Sequence, residues 1–174
     1  MDNKKRNIII TKEQIENRIM QLGAEISKDY EGKNLYVLSL LRGSFIYAAD
    51  LVRHITLPTR IGFMTTSSYD HNEQSSGSVK VVNDIPDNIE GYDVLIVDDI
   101  VDTGITMQFV LDHVKSLGAK TVQSCVLLDK PERRKVSIVP DYFCFKIPDV
   151  FVVGYGLNYG DYYRNIPYVF NWED

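Results

Sequence analysis

Residues 94–106 read VLIVDDIVDTGIT. Four apolar residues, Val94 to Val97, run straight into Asp98 and Asp99, and Asp102 follows just before Thr103-Gly104. A short, unbroken run of branched apolar residues reads as a strand buried on both faces. Met107, Val110, Leu111, Val114 and Leu117 then recur at helical spacing, and Gly118 stops that helix. A strand, a loop and a helix N-terminus therefore meet over residues 98–106. The run TVQSCVLL at 121–128 is the next strand, completing a β-α-β unit over 92–128.

A second such unit lies upstream, over 35–65. LYVLSL at 35–40 is a buried strand, LRGS at 41–44 turns the chain, and FIYAADLVRHI at 45–55 has helical spacing with Ser44 as its N-cap. Residues 60–65 form another strand. Before these, TKEQ at 11–14 is a capping box, followed by one apolar stripe: Ile15, Ile19, Leu22, Ile26 and Tyr30. Residues 70–78, DHNEQSSGS, hold no large apolar side chain and read as an exposed, mobile loop. PDVFVVGYG at 148–156 reads, on its own, as a core strand. Strands alternating with helices predict an α/β fold with a parallel twisted sheet flanked by helices. The 174 residues suit one domain, 1–174. Ligands bind such sheets beyond the carboxyl ends of the strands. LRGS, DDIVDTGIT and the DKPERR run at 129–134 all fall there.

The totals exclude several classes. A net charge of −5 argues against a general nucleic-acid surface. No apolar run approaches the ~18 residues that span a bilayer. Three isoleucines after the basic start are too few for a signal-peptide core. We expect a cytoplasmic protein with no membrane partner. Cys125 and Cys144 sit in apolar surroundings without metal-ligand spacing, so two buried, reduced thiols are expected.

The chemistry of 98–106 divides in two. Asp102-Thr103-Gly104-Ile105-Thr106 places unpartnered backbone N–H groups, two hydroxyls and the positive end of a helix dipole together, the outline of a phosphate cradle. The same pattern also fits an ordinary capped turn. Asp98 and Asp99 would repel phosphate, so they face something else: a vicinal diol that donates to them, or a metal ion that bridges hydroxyls and phosphate oxygens.

VLIVDDIVDTGIT closely resembles the phosphoribosyl-pyrophosphate (PRPP) binding motif of type I phosphoribosyltransferases. LRGS, SSYD, LLDK and PDVFVVGYGLNY stand around it in the order of the hypoxanthine-guanine branch. The resemblance runs from the TKEQIENRIMQLGAEI helix to YGLNYGDYYRNIPYV. It implies a small hood built from the terminal segments and transfer of a phosphoribosyl group to a 6-oxopurine, in purine salvage. It implies Mg²⁺ as cofactor, PRPP and the base as partners, and a homodimer or homotetramer.

Site roles follow from the same resemblance. Asp102 corresponds to the catalytic base, and 103–106 (Thr103, Gly104, Ile105, Thr106) to the 5′-phosphate cradle. Asp98 and Asp99 match the pair that contacts ribose and PRPP-bound Mg²⁺, with Asp98 one methylene shorter than the usual glutamate. Arg42, Gly43 and Arg164 match pyrophosphate-binding positions, with a cis peptide before Arg42. Lys130 matches the donor to the purine 6-oxo group, Phe151 the stacking ring, and Val152 the backbone that reads the base edge. Taken alone, Lys130 reads as a surface lysine. Ser68 and Tyr69 match the lid. Asn158 departs from the family's usual aspartate, so a second Mg²⁺ should be held less tightly.

Three rivals fit less well. Receiver domains place their acidic pair near the start, whereas 97 residues precede Asp98 here. A Walker B strand needs a P-loop, and no G-x-x-x-x-G-K-[ST] occurs. A regulator that binds PRPP and nucleic acid without turnover should show a basic face or an added domain.

Overall fold

The computed structural model describes residues 5–68 and 79–173. In chain order the elements are β1 (Arg6–Ile10), α1 (Lys12–Asp29), β2 (Leu35–Leu41), α2 (Phe45–Val52), β3 (Arg60–Ser68) and β4 (Val79–Asn83). There follow β5 (Asp93–Val101), α3 (Ile105–Ser116), β6 (Thr121–Asp129), β7 (Tyr142–Lys146) and β8 (Val169–Trp172). A single 3₁₀ turn, Pro131–Arg133, lies between β6 and β7.

One six-stranded sheet has the order β4-β3-β2-β5-β6-β7. All its neighbours are parallel except the β3–β4 hairpin. The uniform apolar run of β5 now has its cause. Leu95 and Val97 pack into the core under α1 and α2, while Val94 and Ile96 pack into the core under α3. Successive side chains of a strand point to opposite faces, and both faces here are covered.

α1 starts as its sequence dictates. The Gln14 N–H donates to Thr11 Oγ1 at 3.2 Å, and the Thr11 N–H donates to Gln14 Oε1 at 2.8 Å. Such a cap stabilises a helix by about 0.5–2 kcal/mol. Ile15, Ile19, Leu22 and Ile26 are fully buried, each contributing about 1.5–3 kcal/mol of transfer free energy.

Three expectations are corrected. Ser44 does not cap α2: it is buried, and its hydroxyl bonds to Leu40 O and Ser39 Oγ across the turn. α2 ends at Val52 rather than residue 55, because His54 and Ile55 donate to Leu51 and Val52, three residues back, and tighten the chain out of the helix. PDVFVVGYG is no regular strand. Val152 and Val153 are buried, yet the segment makes only isolated bridges, Val153 to Phe170 and Gly154 to Leu157, as positive φ angles at Gly154, Tyr155 and Gly156 turn it away.

β1 and β8 pair antiparallel in a separate two-stranded sheet. That is the hood expected from the terminal segments. The cysteines are buried and unpaired, both within reach of the Tyr47 hydroxyl, at 3.1 Å from Cys125 and 3.5 Å from Cys144. No helix among the described residues is long and apolar enough to cross a membrane.

Candidate active site

β5 runs four residues further than its β2 partner needs. Its ladder with β2 ends at Val97–Ser39, while its ladder with β6 continues through Val101–Asp129. Asp98 and Asp99 therefore sit on a strand, not in a loop, with one side open where the 41–44 turn approaches. The Asp99 N–H donates to Asp98 Oδ1 at 2.9 Å, and the Ile100 N–H to Asp99 Oδ1 at 2.8 Å. Desolvation and the charge of Asp99 push the Asp98 carboxyl well above the usual carboxylate range. Desolvation also raises Asp99, partly offset by Asp98, the Ile100 N–H and the Arg164 guanidinium. Two adjacent carboxylates resist carrying two charges unless donors or a cation lie against them.

The next residues form a cleft lined by Asp98, Asp102, Thr103, Gly104 and Thr106. Gly104 has φ 83° and precedes the first helical residue. A Cβ there would meet Ile138, Arg134 and Val136 side-chain atoms at 2.6–2.9 Å, so glycine is required twice over. The first i→i−4 bond of α3 runs from Gln108 N to Gly104 O. The N–H groups of Ile105, Thr106 and Met107 precede it and have no i→i−4 partner; that of Ile105 donates weakly to Thr103 Oγ1 at 3.4 Å, and the helix end has the polarity of an anion site.

The 41–44 turn closes the open side. The Leu41–Arg42 peptide is cis. A Cβ on Gly43 would overlap the Asp99 carboxylate, and one on Gly156 would overlap the Gly43 carbonyl oxygen. Arg164 donates to Gly156 O at 2.6 Å and acts on Asp99 electrostatically. The structure thus brings Gly43, Asp99, Gly156 and Arg164 together. Arg42 is exposed in the turn.

Behind the cleft, Lys130 is buried, with a side chain 5 % exposed, and its ammonium lies 3.2 Å from Asp149 Oδ1. The surface-lysine alternative is thereby excluded. Arg133 Nε lies 3.2 Å from Asp102 Oδ1, but off the hydrogen-bond direction, so that buried oxygen has no hydrogen-bond partner among the described residues. Arg134 is the residue that sequence reasoning missed. It pairs with Asp129, donates from Nε to Asp102 O at 3.2 Å, and donates from Nη1 to Ile138 O at 2.5 Å. It fastens the 129–138 segment against the back of the anion loop. DKPERR is visible in the sequence, but no spacing tells which of its charges turns inward.

Phe151 is largely exposed, its ring edge-to-face with Tyr159 at 6.1 Å, and Tyr159 in turn packs on Trp172 at 4.8 Å. Val152 is buried beside it. Asn158 is exposed and donates from Nδ2 to Gly160 O at 2.5 Å, leaving its amide oxygen as the group able to meet a cation. Of the expected lid, Ser68 ends β3, and Tyr69 and residues 70–78 lie outside the described residues. Among the described residues, no cluster of three or more His, Cys, Asp or Glu could hold a metal by itself.

A family model described as phosphoribosyl transferase domain matches residues 7–160. The hypoxanthine-guanine phosphoribosyltransferase of Streptococcus mutans is 43% identical over 164 residues, covering 94% of this chain and 91% of that protein. That of Streptococcus agalactiae is 42% identical over 169 residues, covering 97% and 94%. A solved hypoxanthine phosphoribosyltransferase from Staphylococcus aureus superposes with a TM-score of 0.93 at 40% identity, covering 98% of this chain and 93% of that one. The site at the carboxyl edge of this sheet therefore sits in an enzyme, and the chain belongs to the phosphoribosyltransferase family, on its hypoxanthine-guanine branch.

Proposed function

We propose that this enzyme, acting as a single 174-residue domain, joins C1′ of PRPP to N9 of hypoxanthine or guanine, giving IMP or GMP and pyrophosphate. The bond from C1′ to the pyrophosphate oxygen breaks as the C1′–N9 bond forms. Asp102 takes the proton at N7 of the base. The carrying observation is the convergence, at one sheet edge, of a helix N-terminus for phosphate, a carboxylate pair for the diol, a buried ammonium after the next strand, and an Asp102 oxygen without a hydrogen-bond partner among the described residues.

The charges are arranged for an oxocarbenium-like centre. Carboxylates at 98, 99 and 102 favour positive charge at C1′, and Arg42, Arg164 and the Gly43 N–H favour negative charge on the departing pyrophosphate. Lys130 can only donate, so it accepts a 6-oxo group and rejects the 6-amino group of adenine. Phe151 offers a ring face to the purine, with the Val152 backbone at its edge. Ser68 and Tyr69 belong to the lid that excludes water. Asp98 and Asp99 fit Mg²⁺, which is commonly held by one or two carboxylates plus substrate phosphates. When bound, Mg²⁺ supplies positive charge to the pyrophosphate oxygens. The enzyme works as a homodimer or homotetramer.

The test is turnover with PRPP and Mg²⁺ across hypoxanthine, guanine, xanthine, adenine and uracil. Conversion of a 6-oxopurine and not adenine is expected; conversion of adenine or uracil would unseat Lys130. Binding of PRPP without turnover of any base, together with retention of bulk RNA or DNA at low salt, would instead mark a regulator. The net charge of −5 speaks against that outcome.

Two variants probe the details. Gly43→Ala places a methyl group on the Asp99 carboxylate, and KM for PRPP is expected to rise about tenfold, since the carboxylate and turn must part. An unchanged KM would show that the turn can yield. Asn158→Asp restores a charged ligand and is expected to lower the Mg²⁺ concentration for half-maximal binding of PRPP, followed by calorimetry at fixed PRPP. Identical Mg²⁺ titrations for both proteins would remove position 158 from the metal site.

A further inference from the structure

The charged groups behind the cleft alternate in sign: Asp102, Arg133, Asp149, Lys130. Arg133 Nε lies 3.2 Å from Asp102 Oδ1 and 3.8 Å from Asp149 Oδ1, and Lys130 Nζ lies 3.2 Å from that same Asp149 oxygen. We propose that Asp149 and Arg133 are positioning residues for the purine pocket. Asp149 fixes the Lys130 ammonium, and Arg133 links it to Asp102. The donor for the 6-oxo group and the acceptor for the base proton are thereby set as one unit. The inference rests on the reading of Lys130 and Asp102 given above.

Three observations carry it. A lysine has a flexible four-carbon stem and loses much rotamer freedom when held. Lys130 nevertheless sits buried, and Asp149 is the carboxylate in contact with its ammonium. An ammonium has three N–H donors, so one shared with Asp149 leaves others for a substrate oxygen. Asp149 is itself anchored to the same turn, because its backbone N–H donates to Glu132 Oε2 at 3.2 Å. The turn is pinned in its turn to the anion loop through Lys130 N to Val101 O at 2.9 Å and Lys135 N to Thr103 O at 2.8 Å. Finally, Arg133 Nε lies 3.2 Å from Asp102 Oδ1 without hydrogen-bond alignment, so its charge holds the carboxylate in place while leaving it no fixed donor.

The experiment is steady-state kinetics with hypoxanthine and PRPP varied separately, for Asp149→Asn, Asp149→Glu, Lys130→Ala, Arg133→Gln and the Lys130→Ala/Asp149→Asn pair, with Tm as a folding control. Asp149→Asn is expected to raise KM for the base about tenfold and to leave KM for PRPP within about twofold. Asp149→Glu, which keeps the charge, should recover most of the loss. In the Lys130→Ala background the Asp149→Asn effect should vanish, because the two act through one contact. Arg133→Gln is expected to lower kcat and raise KM for the base together. An effect of Lys130→Ala on base KM without one from Asp149→Asn would overturn the positioning role alone. An unaffected Lys130→Ala would overturn the reading of the purine pocket and this inference with it. A full Asp149→Asn effect persisting in the double variant would also overturn it, and wild-type kinetics for Arg133→Gln would remove the link to Asp102.

Discussion

Asp102→Asn is expected to lower kcat by about 10²–10⁴-fold, the range for losing a positioned general base. The amide keeps the shape of the side chain but cannot take a proton. Asp102 Oδ1 is buried and has no hydrogen-bond partner among the described residues, and the charge of Arg133 lies 3.2 Å from it. Its backbone stays tied, through Asp102 O, to Arg134 Nε at 3.2 Å, so the variant should leave the anion loop in place. KM for PRPP is therefore expected to hold within about threefold, since the groups facing phosphate are untouched. Stopped-flow measurement of a single turnover checks the chemical step directly. A rate within about tenfold of the parent would take Asp102 out of the proton transfer.

Arg134→Ala is expected to destabilise the fold by about 3–5 kcal/mol, because it strands the buried Asp129 carboxylate. The two side chains are 13% and 3% exposed and pair directly. For a domain of this size the loss corresponds to a Tm lower by about 10 °C. The same arginine braces Asp102 O and Ile138 O, and its Cδ is one of the atoms a Cβ on Gly104 would strike. Its removal should therefore also loosen the anion loop and raise KM for PRPP. Differential scanning calorimetry gives the first effect. Replacing both partners together, Asp129→Leu with Arg134→Met, should recover part of the Tm but not the KM, since the brace on the loop stays absent. An Arg134→Ala protein with parental Tm would mean that the pair contributes little.

Local chemistry was legible in the sequence because its signals are short-range. The capping box at 11–14 forms as written, since Thr11 and Gln14 reach only each other's backbone. The apolar stripe of α1 is buried residue for residue, and Gly118 takes the positive φ that ends α3. The parallel order of β2, β5 and β6 follows from strands alternating with helices. Ser44 looked like a cap, but Leu40 and Ser39, four and five residues back, claim its hydroxyl across the turn. Where contacts cross the chain, the sequence misled or was silent. PDVFVVGYG carried strand composition, yet its glycines turn it onto the 41–44 loop, where Gly156 touches Gly43.

The sequence by itself determined the parallel α/β core, the strand-loop-helix that presents Asp98 to Thr106, and the glycine that opens the helix N-terminus. Those depend on periodicity, capping and backbone freedom within a few residues. Only the tertiary structure decided which charges meet. Asp99 faces Gly43 and Arg164, and Lys130 faces Asp149. Arg134 turns inward onto Asp129 while its neighbour Arg133 turns outward to Asp102. Each of these pairs except the Asp129–Arg134 one joins segments at least sixteen residues apart. Their pairing is set by sheet order and desolvation, which no local pattern encodes.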